Sequence, residues 1–232
     1  MIAEKLFSDR RELASSLADS IAADLAAAVG RLGLASLVVS GGSTPRPLFE
    51  ELGRRSLPWD RVWVTLADER WVAVDDDASN EALVRRHLLT GEAAVARWVG
   101  LKTDAATPEE GRGETDRRLR GMPRPFDVVV LGMGGDGHTA SLFPGAPELA
   151  AGLTYGYRRL CLAVRPPGAL HPRISLTLRT LLDSWRVVLH LTGEDKLDVY
   201  RRALADGSVE EMPVRGVLRT TLPVRVELYW AP

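Results

Sequence analysis

Short apolar runs alternate along this chain with longer segments whose apolar residues recur at helical spacing, and that alternation restricts the fold more than any other feature. Over residues 9–29, Leu13, Leu17, Ile21 and Leu25 share one helical face. Asp9 with Glu12 has the spacing of a capping box, and Gly30 stands where a helix would stop. Residues 36–40 follow, apolar on both alternating faces as a buried parallel strand requires. The same rhythm predicts helices over 45–55, 79–89 and 194–205. It predicts strands over 61–66, 96–100, 127–131, 160–164, 173–178, 187–191 and 225–230. Thr107-Pro108-Glu109-Glu110 marks a further helix start, with Thr107 as N-cap. Repeated units of this kind imply an α/β fold, a mostly parallel sheet with helices on both faces, as one domain over residues 1–232. Irregular structure is expected only over 144–156.

Composition narrows the function. The chain has 232 residues, 45% apolar and 26% charged, enough for a sizeable core without disulfide or metal staples. Cys161 is the only cysteine, and no Cys/His cluster has zinc-ligand spacing. Thirty basic residues against thirty-one acidic ones, with no long block of either sign, argue against a dedicated nucleic-acid binder. Charges at Glu4, Lys5, Asp9, Arg10, Arg11 and Glu12 leave no signal-peptide core, and no uninterrupted apolar run approaches the roughly 18 residues that span a bilayer. The expectation is a cytoplasmic monomer or small homo-oligomer with a small-molecule partner, and neither nucleic acid nor membrane.

Four unusual turns each follow an apolar strand directly, and in a parallel sheet all four emerge at the carboxyl edge, where ligands bind. In the first, Gly41 and Gly42 permit close backbone approach, Ser43 and Thr44 offer hydroxyls, and Pro45 opens a helix. That is either an anion site or a simple helix cap. No Gly-Lys-Ser/Thr follows, which argues against an ATP-type phosphate loop. In the second, Asp68, Glu69 and Arg70 stand side by side, a carboxylate pair able to position a proton beside an arginine able to grip an anion. The alternative is a solvated acidic turn. Asn80 lies nearby as a cap or a sugar-hydroxyl contact.

The third turn, Gly132-Met-Gly134-Gly-Asp136-Gly137-His138-Thr139, matches the dinucleotide fingerprint literally. Pro144 and Gly145 arrive before a full helix can form, and the strand some 20 residues on ends at Arg165 rather than at an acidic residue. His138 is what the fingerprint leaves unexplained, since a neutral imidazole two residues from Asp136 has the chemistry of a general base. His87 falls within a helix, His171 in a proline-rich loop, and His190 inside a strand as a satisfied core residue. The fourth turn carries Lys196, one of only three lysines. Its position in a first helical turn opposes the helix dipole unless Glu194, Asp195 or a ligand phosphate supplies an anion.

With these residues the chain resembles the 6-phosphogluconolactonase family. The resemblance runs from Ser40 to about Lys196, through Ser40-Gly-Gly-Ser-Thr-Pro-Arg-Pro-Leu48, Asp68-Glu-Arg70, Ser79-Asn80, Leu131-Gly-Met-Gly-Gly-Asp-Gly-His-Thr-Ala-Ser-Leu-Phe-Pro-Gly145, Pro172-Arg-Ile-Ser-Leu-Thr177 and Thr192-Gly-Glu-Asp-Lys196. It implies a Rossmann-like fold shared with glucosamine-6-phosphate deaminase, and a cofactor-free, metal-free hydrolase of the 1,5-lactone of 6-phosphogluconate in the oxidative pentose phosphate pathway. It further implies His138 as general base, with Asp68 and Asp136 shaping the catalytic site. Gly41, Gly42, Ser43, Thr44, Arg70, Asn80, Gly134, Gly137, Thr139, Arg173 and Lys196 are implied as substrate or phosphate contacts. Ala73, where the family usually has proline, and Ser175, where threonine is common, depart from the pattern. The related deaminases carry an acidic residue shortly after Asp-Gly-His, whereas Ser141-Leu-Phe-Pro144 has none. A sugar-phosphate isomerase or deaminase, an NADP-dependent dehydrogenase and a non-catalytic sugar-phosphate sensor are the rival readings. The last lacks a helix-turn-helix segment that would couple it to DNA.

Overall fold

The computed structural model describes residues 2–232. Its first half runs β1 (Ala3–Leu6), α1 (Arg10–Leu32), β2 (Ala35–Val39), α2 (Arg46–Leu52), β3 (Val62–Leu66), β4 (Asp68–Arg70), α3 (Asn80–His87), β5 (Arg97–Val99), α4 (Pro108–Arg120) and β6 (Val128–Leu131). The second half runs α5 (Leu149–Leu153), β7 (Cys161–Val164), β8 (Arg173–Leu176), α6 (Leu178–Leu182), β9 (Arg186–Thr192), α7 (Glu194–Leu204), α8 (Arg215–Leu218) and β10 (Arg225–Ala231).

Local chemistry explains the clearest of these elements. The Asp9 carboxylate accepts the amides of Arg11 and Glu12 and so starts α1. Glu12 reaches the amide and hydroxyl of Ser8 instead of completing a box with Asp9. Leu13, Leu17, Ile21, Leu25 and Ala28 then bury one face completely. The helix runs past the expected stop at Gly30 to Gly33, whose φ of 76° provides the left-handed cap. By length and composition α1 could cross a membrane, yet here its apolar face is packed into the core.

Seven strands form one sheet in the order β1-β10-β9-β6-β2-β3-β5, and every neighbouring pair is parallel. From β2 the chain winds outward through β3 to β5, then crosses back to β6 on the other side of β2 and winds outward again. The β2–β6 seam is therefore where the winding reverses, and the crevice beyond its carboxyl ends has no crossover covering it. Ser36 and Asp127 pin the opposite end of that seam. The Ser36 amide donates to Asp127 Oδ2 at 2.8 Å, and the Asp127 amide donates to Ser36 Oγ at 3.1 Å.

Four strands depart from the expected pattern. Strands β7 and β8 leave the parallel sheet and pair antiparallel with β4 in a second sheet, ordered β4-β8-β7. Asp68–Arg70, expected as a turn, is itself the strand β4, because its backbone pairs with β8. Edge strand β1 was not expected at all, being too polar and exposed for a buried-strand pattern.

Arg186 joins the sheet to α1. It is 2% exposed, and it donates to Glu227 at 2.6 Å, Asp24 at 2.7 Å and the Tyr229 hydroxyl at 2.9 Å. Without Arg186, buried Glu227 keeps only the longer contacts to Lys5 at 3.4 Å and Arg225 at 3.8 Å, a charge poorly compensated, whereas removing both partners leaves no such buried charge. Arg186→Leu is expected to lower the unfolding free energy by about 3 kcal/mol in urea denaturation, and adding Glu227→Leu to recover most of that loss. Equal stability of the single variant and its parent would contradict this.

Candidate active site

The first turn leaves β2 at Ser40. A Cβ on Gly41 would fall 1.8 Å from Asn80 Oδ1, and Gly42 has a φ of 100°, so both positions require glycine. The N-cap of α2 is Pro45, with no side-chain hydrogen bond, so Ser43 and Thr44 are not helix caps. Among the described residues, the amides of Gly41, Gly42, Ser43 and Thr44 donate to no backbone acceptor. Thr44 Oγ1 lies 3.5 Å from Thr192 Oγ1, which brings the first and fourth turns together.

In β4 the expected carboxylate pair is split, because successive side chains of a strand point to opposite faces. Glu69 turns away from the cavity to hold the start of α3, accepting the amides of Asn80 at 2.8 Å and Glu81 at 2.7 Å and the Ser79 hydroxyl at 3.1 Å. Burial pushes its pKa up to about 6 against the pull of those hydrogen bonds. Asp68 faces the cavity and accepts a hydrogen bond from Ser141 Oγ. Asn80 lines the cavity too, and its Nδ2 donates to the Asp68 carbonyl at 2.8 Å, while Ser79 caps the helix.

Antiparallel pairing sets Arg70 directly opposite Arg173. Arg70 Nη1 donates to the Ala78 carbonyl at 2.6 Å, but the Nε of each arginine is buried with no partner. Burial and then the repulsion of Arg70 lower the Arg173 pKa, opposed by Asp68 and Glu69. Two adjacent guanidinium groups with unmet donors have the chemistry to hold an anion.

The third turn presents His138. Its Nδ1 lies 2.6 Å from Asp136 Oδ1, which also accepts the His138 amide at 3.0 Å. Burial raises the Asp136 pKa, but these two hydrogen bonds and the charge of the imidazole outweigh it and hold the carboxyl below its ordinary value. In the neutral imidazole, an ionised Asp136 accepts the Nδ1 proton and leaves the lone pair on Nε2. Phe143 packs on the ring with centroids 4.0 Å apart, and the Arg173 guanidinium lies 6.0 Å from the Phe143 ring, so one aromatic side chain connects imidazole and guanidinium. No helix opens after the glycines, and the next one is α5 at Leu149–Leu153, so the turn lacks the context of a dinucleotide site.

Not every implied contact faces the cavity. Gly137, with a φ of 79°, lies against Met212. Thr139 is buried and donates to the Gly132 carbonyl at 2.9 Å, bracing the turn. Asp136 does not line the cavity; it stands behind His138 and is hydrogen-bonded to it. In the fourth turn, Lys196 lines the cavity and has no carboxylate within 4.0 Å among the described residues, so Glu194 and Asp195 do not supply its counter-ion.

These parts enclose a cavity of about 410 Å³ that Gly41, Gly42, Ser43, Thr44, Asp68, Arg70, Asn80, Gly134, His138, Arg173 and Lys196 all help to line. Phe143, Ala140 with its left-handed φ of 47° and His190 also line it and were not among the implied contacts. His190 is not a satisfied core residue, since its Nδ1 has no partner, and burial pulls its pKa down to about 4.

A cleft at the winding reversal of a parallel sheet, with an oriented imidazole across from a cationic wall, defines an α/β enzyme for an anionic small molecule. The chain belongs to the family described as glucosamine-6-phosphate isomerases/6-phosphogluconolactonase, whose model it matches over residues 8–230. It is 45% identical over 224 residues to a 6-phosphogluconolactonase of Pseudomonas putida, covering 97% of this chain and 90% of that one. It is 44% identical to the 6-phosphogluconolactonase of Rhizobium meliloti (strain 1021), covering 98% and 97% of the two chains. The crystal structure of a 6-phosphogluconolactonase from Shewanella baltica OS155 superposes with a TM-score of 0.97 at 48% identity, covering 100% and 98%. A monomeric glucosamine-6-phosphate deaminase shares the fold at 17% identity and a TM-score of 0.81.

Gly134 tests the geometry of the His138–Asp136 pair. A Cβ there would lie 2.2 Å from His138 Nδ1 and 2.7 Å from Asp136 Oδ1, so the imidazole and the carboxylate cannot both keep their places. Gly134→Ala is expected to reduce kcat about 100-fold with the melting temperature close to the parent's. A fully active Gly134→Ala chain would show that ring placement does not matter.

Proposed function

We propose that this chain hydrolyses 6-phospho-D-glucono-1,5-lactone to 6-phosphogluconate, a step of the oxidative pentose phosphate pathway, with His138 as general base. The observation that carries the reading is the His138–Asp136 contact of 2.6 Å on one side of a cavity whose other walls hold Arg70, Arg173 and Lys196. The 6-phosphate engages Lys196, Arg173 and the Ser43–Thr44 turn, with Arg70 beside them, which leaves the lactone carbonyl next to His138.

Water then adds to C1 as His138 Nε2 removes its proton, and the C1 carbonyl becomes an oxyanion. Collapse of this intermediate breaks the bond from C1 to the ring oxygen, and the imidazolium returns its proton to that oxygen. The product acid ionises. Asp136 keeps the imidazole in the productive tautomer and stabilises its charged form. The amides of Gly134 and Gly137 are already bonded within the third turn and that of His138 to Asp136, so the oxyanion is held by other donors. Ser141 and Phe143 occupy the stretch in which the deaminases place their acid, so nothing there supports ring opening.

Purified protein is expected to accelerate acid release from freshly generated 6-phosphogluconolactone in a pH-stat. Arg173→Ala and Lys196→Ala are each expected to raise KM for the phosphorylated lactone at least tenfold, about 1.4 kcal/mol, with little effect on the unphosphorylated lactone. Ammonia release from glucosamine 6-phosphate without lactone hydrolysis would overturn the assignment.

A further inference from the structure

At the amino edge of the parallel sheet, opposite the candidate active site, the segments entering β6, β9 and β10 and the loop before β7 enclose a second cavity of about 500 Å³. Five arginines line it, Arg120, Arg124, Arg158, Arg159 and Arg179, against one carboxylate, Asp183. Arg120 is paired with Asp116, and Arg124 with Asp183. Arg158 and Arg159 have no carboxylate within 4.0 Å among the described residues, and Arg179 donates only to the Tyr155 carbonyl. Three unneutralised guanidinium groups thus surround one concavity in a protein whose net charge is −1.

The same cavity carries aromatic surface. Trp185 is 55% exposed and Tyr155 46% exposed, with Tyr157 beside them. The backbone of Trp185 is held between Phe126 and Arg225 by ladder hydrogen bonds, so the fold fixes its position while its indole stays outside the core. The cavity holds no histidine, and its one buried hydroxyl pair, Thr180 and Ser184, is engaged with Thr177 and the Leu181 carbonyl. Its cationic and aromatic surface has the chemistry of binding.

We propose that this cavity is a second ligand site, for a nucleoside di- or triphosphate. Arg158, Arg159 and Arg179 engage the phosphates, and the base stacks on Trp185 and Tyr155. The volume falls within the range of small-molecule sites. Strand β9 separates the two sites by about 20 Å, from six residue steps of roughly 3.3 Å, so a ligand here does not compete with one at His138. The inference does not depend on the reaction assigned to the first cavity.

Calorimetric titration of the full chain with ATP, tripolyphosphate and adenosine separates the contributions. ATP is expected to bind one-to-one with a micromolar Kd, unaffected by saturating 6-phosphogluconate. Arg158→Glu combined with Arg159→Glu should weaken ATP at least tenfold while leaving catalytic turnover and melting temperature unchanged. Trp185→Ala should weaken ATP several-fold and leave tripolyphosphate unaffected. No ATP binding up to millimolar concentration would overturn the proposal. So would ATP binding abolished by Lys196→Ala but not by the arginine variants, and so would equal affinity for ATP and tripolyphosphate.

Discussion

The reversal of winding between β2 and β6 is the constraint on which the candidate site depends. Two strands that begin chain segments wound in opposite directions lie side by side, so the turns leaving their carboxyl ends open toward each other instead of being covered by a crossover. The turn after β2 contributes free amides and hydroxyls, and the turn after β6 contributes the imidazole. Ser36 and Asp127, paired at the far end of the same two strands, fix the register that makes this meeting reproducible. The turn after β9 is drawn in beside them and brings Lys196, through the approach of Thr192 to Thr44.

Electrostatic preorganisation then divides the cavity. On one side, an ionised Asp136 fixes the imidazole through Nδ1, and a structure that leaves no room for a side chain at Gly134 keeps the ring in place. On the other side, the small antiparallel sheet places Arg70 against Arg173, an arrangement that costs stability until an anion neutralises it. Phe143 spans the two halves. The unmet donors of Arg70 and Arg173 and the unpartnered His190 Nδ1 all belong to residues lining one cavity, so the fold carries a cost at this place that a bound ligand offsets.

Much of this was legible in the residues themselves. The four-residue spacing of Leu13, Leu17, Ile21 and Leu25, the Thr107-Pro108 start and the apolar run ending at Leu131 are local signals, and each marks a helix or strand. What stayed hidden depends on partners distant in sequence. Asp68–Arg70 reads as a turn because its residues are polar, and it becomes a strand only when β8 pairs with it. The turning of Glu69 toward α3 follows from that pairing. Gly30 and Gly33 are alike in sequence, and only the left-handed φ of Gly33 shows which one ends the helix. Phe143 lies inside the motif of the third turn, but nothing in the residues shows that its ring packs on His138, and His190 reads as an ordinary strand residue. Gly137 and Thr139 share a motif with His138 but serve the shape of the turn.

The most direct test of the convergence is a steady-state comparison of parent and His138→Ala on the phosphorylated lactone. An imidazole that removes the proton from water while separate cations hold the phosphate predicts a kcat lower by about 10²- to 10⁴-fold with KM changed by less than a few-fold. An unchanged kcat, or a loss confined to KM, would contradict the account.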